Sequence, residues 1–220
     1  MATDRLKIYN GALQICRVPQ IASLTENSES RRQLDIVWND NGVRYCLEQG
    51  QWTFCRRTSK LSYETAIEPA FGYPRAFAKP SDWVNTAAVC SDEYFKSPLI
   101  QYADEVGYWY ADLDEIYVKY TSDATNFGAN LALWPQSFTE YVKMYFASKV
   151  CGKLTGDGAR ETEILRPRSG LLALALNVAQ NRDAQGEPTK FLPQGSWTRA
   201  RSGRHTGDWR DGGNRNRLIG

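Results

Sequence analysis

Residues 137–146, SFTEYVKMYF, carry a complete amphipathic helical pattern. Their apolar side chains recur at spacings of three, four, seven and eight residues, at Phe138, Tyr141, Val142, Tyr145 and Phe146. Ser137 stands where a helix N-cap belongs, and Glu140 follows it at the capping-box position. The pattern predicts a helix that is capped by Ser137 and buries one broad face.

Two helices are predicted upstream of this stretch. Residues 4–18 repeat apolar side chains at helical spacing, with Asp4 or the residue before it as the cap. Pro19 ends this pattern, because proline disfavours helix at the residue before it. Residues 29–49 form the second predicted helix. Gly42 lies inside it and costs about 1 kcal/mol relative to alanine, so the sequence allows a bend there.

A further helix is predicted downstream, over residues 159–183. Pro167 and Gly170 interrupt its first half, since an internal proline costs about 3 kcal/mol or more. The stronger part of the pattern is Leu171–Val178. Regular structure is therefore expected to stop at about Asp183.

The middle of the chain, from Trp52 to about Thr121, changes to a period of two residues. Trp52-Thr53-Phe54 is predicted to begin a strand, and residues 82–89 form an extended segment. The clearest strand signals are Leu99–Ala103, Tyr108–Ala111 and Ile116–Tyr120, which are separated by short acidic turns. This spacing predicts an antiparallel meander.

The order of these elements predicts an α+β fold. We expect a four-helix bundle-like core, an inserted antiparallel β meander and an extended C-terminal arm. The expected boundaries are residues 1–51 and 135–185 for the bundle, 52–134 for the β-rich insertion and 186–220 for the arm.

Charge separates the arm from the rest of the chain. The 220 residues carry 27 Lys and Arg against 25 Asp and Glu, a formal net charge of +2. From Lys190 to Gly220 there are seven basic and two acidic residues, or +5, which leaves −3 on the remainder. The longest apolar run, Leu171–Leu176, is far shorter than the about 20 residues of a membrane span, and the N-terminus lacks a signal-peptide core. We therefore expect no membrane partner.

Cysteine and histidine give no sign of a metal or cofactor site. The five cysteines are widely spaced and form no C-x-x-C pair, which indicates reduced, buried thiols. His205 is the only histidine and lies in the polar arm. We therefore expect no cofactor and no catalytic triad.

Acidic residues alternate with aromatic residues in the predicted meander. One interpretation is a carbohydrate-cleaving carboxylate pair or a calcium site, with Glu105 or Asp112 as the acid. The alternative is that these carboxylates form turns and the aromatic side chains pack on the core. The second interpretation is favoured, because carboxylates are common in turns.

The arm combines glycine with arginine and tryptophan. It holds too few apolar residues to fold alone, and three interpretations stay open: nucleic-acid binding, ordering on a protein partner, and a solubilising tail. Its two tryptophans favour the protein partner. The candidate partner-binding residues are Phe191, Trp197, Arg199, Arg201, Arg204, Trp209 and Arg210.

Short segments in a specific order run through nearly the whole chain. They are residues 8–13 (IYNGAL), 30–35 followed by Trp38 (SRRQLD), 46–54 (CLEQGQWTF), 79–84 (KPSDWV), 102–105 (YADE), 110–112 (YAD), 134–135 followed by Phe138 and Tyr141 (WP), and 191–197 (FLPQGSW). Together they resemble the head-to-tail adaptor proteins of short-tailed bacteriophages, also called tail tubular protein A. The sequence departs from this family at residues 166–170, where members usually continue a helix.

The resemblance implies a structural, non-enzymatic virion protein that is assembled in the bacterial host cytoplasm. It implies a dodecameric ring beneath the portal protein, with the helical bundle toward the ring wall and genomic DNA passing through the lumen. It also implies a docking surface for the downstream tail, or nozzle, protein. The alternatives are a virion-associated peptidoglycan hydrolase and a protein that binds nucleic acid through its basic arm.

Overall fold

The computed structural model describes residues 3–69, 71–156 and 158–186. Its helices are α1 (Arg5–Ile15), α2 (Glu29–Asn39), α3 (Gly42–Glu48), α4 (Gln136–Thr155), α5 (Gly158–Leu165) and α6 (Leu171–Gly186). Its strands are β1 (Arg56–Ser62), β2 (Arg75–Ala78), β3 (Trp83–Cys90), β4 (Ala103–Glu105), β5 (Tyr108–Ala111) and β6 (Glu115–Ser122). Helices flank a strand-containing middle, and the predicted α+β fold class is confirmed.

Helix α4 lies at the centre of the helical part and contacts all five other helices described. The five side chains of its predicted apolar face are at most 9% exposed, each contributing about 1.5–3 kcal/mol by burial. Thr139, Ala147, Ser148, Val150 and Cys151 are buried as well. The helix is therefore covered on more than the one face that its sequence predicted.

The predicted cap of α4, Ser137, is wrong by two residues. The helix begins at Gln136, and Pro135 occupies the N-cap position without a side-chain hydrogen bond to the first turn. Proline suits the start of a helix because its fixed φ and its missing N–H cost little there. Ser137 is therefore inside the helix, and Glu140 pairs with Lys143 at 2.8 Å instead of closing a capping box.

The predicted helix over residues 29–49 is broken into α2 and α3. Asn41 has a φ of 57°, in the left-handed region that asparagine tolerates. At Gly42 the backbone passes so close to α2 that an added Cβ would lie 2.6 Å from the carbonyl oxygen of Val37. The bend that the sequence allowed at Gly42 is therefore a complete break.

The other two predicted helices also end differently. The helix over residues 159–183 is divided into α5 and α6 around Pro167, and α6 continues to Gly186. The first helix ends at Ile15 rather than at residue 18, because Arg17 takes a left-handed φ of 61°. None of the helices in the described segments has the length and apolar character needed to cross a membrane.

The strands form two three-stranded antiparallel sheets, with orders β1-β6-β3 (sheet A) and β2-β5-β4 (sheet B). Strands β4 and β5 form the expected hairpin, but β6 leaves that sheet and pairs with β1 and β3. The continuous meander is therefore corrected to a crossover between sheets. Leu113, in the connection between β5 and β6, packs against the apolar core between the sheets.

Two further strand boundaries are corrected. Thr53–Cys55 form a 3-10 turn, so the strand predicted from Trp52 begins at Arg56. The strand predicted at Leu99–Ala103 begins only at Ala103, because Leu99 donates its backbone N–H to Val89 at 2.9 Å and runs back along β3.

Two apolar cores support this arrangement. The first surrounds α4 and also includes Trp52, Cys55, Val84 and Trp134, so the beginning of β3 belongs to the helical core. The second lies between the sheets and contains Phe77, Val89, Trp109, Ala111, Ile116, Val118 and Tyr120. The helices therefore hold one end of sheet A, and sheet B covers its inner face.

Candidate interaction surface

The candidate residues of the predicted arm lie outside the described part of the chain. These are Phe191, Trp197, Arg199, Arg201, Arg204, Trp209 and Arg210. His205 lies outside it as well. The described residues supply a different candidate, on the connections between strands.

The pairing of sheet A brings three connections to one end. Strand β1 ends at Ser62 opposite Glu115, the first residue of β6, and β3 ends at Cys90 opposite Tyr117. The segments after β1, after β3 and before β6 therefore leave the sheet together. We call this the distal end. We define the distal surface as the described residues 63–69, 71–74, 91–97 and 112–114.

Sheet B shares this distal end. Arg75, which begins β2, pairs with Ala111, which ends β5. The opposite, proximal end of sheet A joins the helices, because Val84 near the start of β3 is buried in the helical core. The β-rich region is therefore anchored at one end and presents its connections at the other.

Large apolar side chains are exposed on the distal surface. Phe71 is 92% exposed, Tyr94 is 72% exposed and Tyr63 is 38% exposed. Single exposed apolar residues are normal in soluble proteins, whereas several of them at one end of a region indicate a binding surface.

Local contacts hold the distal segments in shape. The Arg75 guanidinium lies 2.8 Å from the Asp114 carboxylate and 5.0 Å from the centre of the Tyr63 ring. The Asp92 carboxylate accepts backbone N–H bonds from Lys96 at 3.0 Å and Ser97 at 2.7 Å. These bonds, the one from Lys96 foremost, hold the pKa of Asp92 below its usual value. Tyr63 and Tyr94 therefore stand on segments that local contacts hold.

The distal surface is acidic. It carries six carboxylates and one lysine, a formal net charge of −5. Asp114 is paired with Arg75 and Asp92 caps its own turn. The other four carboxylates form no ion pair with any described residue: Glu64, Glu68, Glu93 and Asp112. The surface therefore combines exposed aromatic rings with uncompensated negative charge.

The carboxylates of the predicted meander lie in two different places. Asp104 pairs with Lys79 and accepts a hydrogen bond from the Trp109 indole at 3.1 Å, near the proximal end. Glu105 is exposed beside it, at the tip of the β4–β5 hairpin. Asp112 lies on the distal surface, at the other end of β5. The fold thus separates the two acids proposed for a hydrolase, Glu105 and Asp112, by the length of that strand.

Lys79 occupies a cage of aromatic and oxygen groups. Its ammonium lies 4.1 Å from the centre of the Trp83 ring and 5.4 Å from that of Trp109. It donates to the Asp104 carboxylate at 2.5 Å and to the Glu105 carbonyl at 2.8 Å, and its side chain is only 7% exposed. The cage is filled by the protein's own cation, so it fixes β2 to the β4–β5 hairpin.

A shallow cleft of about 300 Å³ lies near the proximal end. Gly50, Trp52, Gln180 and Asp183 are among the residues that line it. The Asp183 carboxylate already accepts bonds from Thr53, at 2.9 Å from the backbone nitrogen and 2.6 Å from the hydroxyl. The Asp183 carboxylate in the cleft therefore joins α6 to the entry of β1.

The cysteines are free and buried at all five positions. Burial raises the pKa of Cys16 and of Cys55 to about 12, and also raises that of Cys46. Thiols with such values are inert as nucleophiles and as metal ligands. Within the described segments, no group of three or more His, Cys, Asp or Glu side chains is placed to hold a metal ion.

No protein-family model matches this sequence, and no curated protein matches it either.

Sequence reasoning missed the distal surface. The sequence interpretation assigns no role to Phe71 or Tyr94, although Phe71 stands between Pro69 and Gly72. A large apolar residue surrounded by turn residues has no strand or helix face through which to reach the core. That pattern is the signal that could have identified it.

Proposed function

We propose that the protein is a head-to-tail adaptor, a neck subunit of a bacteriophage virion. It forms a ring, expected to be dodecameric, under the portal protein. The ring continues the channel for genomic DNA and docks the downstream tail protein. The protein acts structurally rather than as an enzyme, is assembled in the host cytoplasm and ends in the virion.

The resemblance of segments such as residues 46–54 and 79–84 to the adaptor family supports this choice of class. The observation that carries the proposal is the position of the distal surface. Its exposed aromatic residues, Phe71 and Tyr94, lie at the end of the β-rich region opposite the helical core.

An adaptor must bind different partners through separate parts of its surface. A sandwich that is anchored in the helices and exposes aromatic rings at its free end suits this task. Aromatic residues are enriched at the centre of protein interfaces, and charged groups belong at the rim. Glu64, Glu68, Glu93 and Asp112 supply such a rim. The distal surface is therefore assigned to a protein partner and the arm to the portal and neighbouring subunits.

The experiment is reconstitution with purified portal rings of the same phage, followed by electron microscopy. The full chain should add a ring of density beneath the portal. A chain lacking residues 190–220 should stay folded, because both apolar cores lie before residue 180, but it should no longer join the portal. A full chain that never binds the portal would contradict the proposal.

A second variant separates the two binding surfaces. With Phe71→Ser and Tyr94→Ser, the chain should lose binding to the protein partner of the distal surface, while its intact arm should still bind the portal. Both side chains are exposed, so the variant should unfold at the same temperature as the parent chain.

The alternative functions have their own readouts. If the protein lowers the turbidity of purified peptidoglycan and the Glu105→Gln variant does not, the hydrolase function would be favoured over the adaptor function. Binding of duplex DNA, with a log–log salt slope of about −0.9 per neutralised phosphate, would favour the nucleic-acid function.

A further inference from the structure

We infer that the distal surface of one copy binds the basic C-terminal segment, residues 190–220, of a second copy. This inference rests on the proposed function, because it names the surface of the neighbouring subunit to which the arm docks.

The charges of the two segments are opposite and equal. The distal surface carries −5, and residues 190–220 carry +5 from seven basic and two acidic residues. Four of the distal carboxylates lack an ion-pair partner among the described residues, so their charge is available to an incoming segment. Opposite potentials accelerate association and fix the docking register, and the effect weakens as salt shortens the Debye length from about 10 Å at 0.1 M.

Apolar contact gives the docking its affinity. The distal surface exposes Phe71 and Tyr94, and the C-terminal segment contains Phe191, Trp197 and Trp209. Aromatic rings that pack edge to face or offset-stacked attract each other in addition to the apolar area that they bury. Arginine also binds over aromatic rings, as Arg75 already does over Tyr63 on this surface.

The length of the segment allows it to reach another subunit. Thirty-one residues span at most about 110 Å when fully extended. The seven residues of β1, which run from the helical core to the distal end, span only about 23 Å. Reach therefore does not limit docking on a neighbour.

Such a contact joins two different surfaces of the same chain. Repeated head to tail, it closes into a ring when the rotation between neighbours allows closure. The contact is thus of the kind that a ring-forming subunit requires. Many weak contacts in one ring add to each other through effective concentration.

Charge reversal on full-length protein tests the inference. One variant reverses the surface (Glu64→Lys, Glu68→Lys, Glu93→Lys, Asp112→Lys), which changes its charge to +3. A second variant reverses the segment (Arg199→Glu, Arg201→Glu, Arg204→Glu, Arg210→Glu), which changes its charge to −3. A third variant combines both sets. The control, Asp40→Lys with Glu105→Lys, reverses exposed carboxylates outside the distal surface.

Sedimentation velocity over a concentration series gives the readout. At 50 mM salt, the parent and control chains should associate as concentration rises, and 500 mM salt should weaken this association at least tenfold. Each single-sided variant should remain monomeric, and the combined variant should associate again.

Three outcomes would overturn the inference: a parent chain that is monomeric at every concentration, association that both single-sided variants retain, or a combined variant that stays monomeric. Portal binding is measured separately. A chain that fails to self-associate but still joins portal rings overturns this inference alone, whereas a chain that self-associates but never joins them overturns the proposed function.

Discussion

Asp183, on the last described helix, accepts two hydrogen bonds from Thr53, which lies 130 positions earlier in the chain. One bond comes from the backbone N–H at 2.9 Å and the other from the hydroxyl at 2.6 Å. Thr53 begins the 3-10 turn that leads into β1. These contacts therefore join α6 to the entrance of the β-rich region.

Removing this carboxylate should loosen both ends of the contact. We expect Asp183→Ala to lower the free energy of unfolding by about 1–3 kcal/mol, because it leaves a backbone N–H and a hydroxyl without their acceptor. Urea unfolding followed by circular dichroism measures this. Asp183→Asn keeps one acceptor oxygen and should cost less. Equal stability of the alanine variant and the parent chain would contradict the assignment.

The cage around Lys79 predicts a different result for two conservative changes. Lys79→Met keeps the aliphatic stem but removes the cation between Trp83 and Asp104, and we expect a loss of about 1–3 kcal/mol. Lys79→Arg keeps the charge and should retain more of the stability. Thermal unfolding and tryptophan fluorescence give the readouts. A methionine variant that unfolds with the parent would show that the cage adds no stability.

Asp82 predicts a pH dependence. Its carboxylate accepts bonds from the Ser122 hydroxyl at 2.5 Å and from the Arg57 guanidinium at 2.9 Å. Burial alone would raise its pKa, but these bonds, the one from Ser122 first, together lower it below the usual value. The ionised Asp82 carboxylate therefore stabilises the folded chain fully at pH values above about 3.9, the pKa of aspartate in the unfolded chain. This stabilisation is lost as the pH falls through the lower pKa of Asp82 in the folded chain.

The matching variant is Asp82→Asn. At pH 7 it should be less stable than the parent chain by about 1–3 kcal/mol, and the difference should shrink as the pH falls below about 4. Urea unfolding at a series of pH values measures the difference. A gap that stays constant down to pH 2, or that widens on acidification, would contradict the linkage.

The parts of the fold that follow from local pattern were predictable. The ten residues 137–146 contain a complete helical spacing of apolar side chains, and its members Phe138, Tyr141 and Val142 are buried. The order of helices and strands, and hence the α+β class, follows from such patterns alone. Tertiary contacts then extended the burial of α4 to Ser148 and Cys151, which local pattern did not mark.

The parts that depend on distant contacts were not predictable. The turn at residues 112–114 suits a hairpin as well as a crossover, and only the pairing of β6 with β1 and β3 decides between them. The break at Asn41 depends on the close approach of Gly42 to Val37. The exposure of Phe71 likewise depends on where the strands end in space. The role of Trp197 and Trp209 stays a prediction.

The burial of the five cysteines predicts that their thiols react slowly with disulfide reagents. Burial raises the pKa of the Cys16 and Cys55 thiols to about 12, so the reactive thiolate is scarce at neutral pH, and solvent access is closed as well. The folded chain should therefore react with a disulfide reagent such as DTNB only through unfolding, and all five thiols should react in 6 M guanidinium chloride. Absorbance at 412 nm counts the thiols in both states.

The single variant Cys46→Ala should remove one thiol from the denatured count and none from the native count. A thiol of the native protein that reacts within seconds would contradict the burial of that residue and would make it a candidate for redox chemistry.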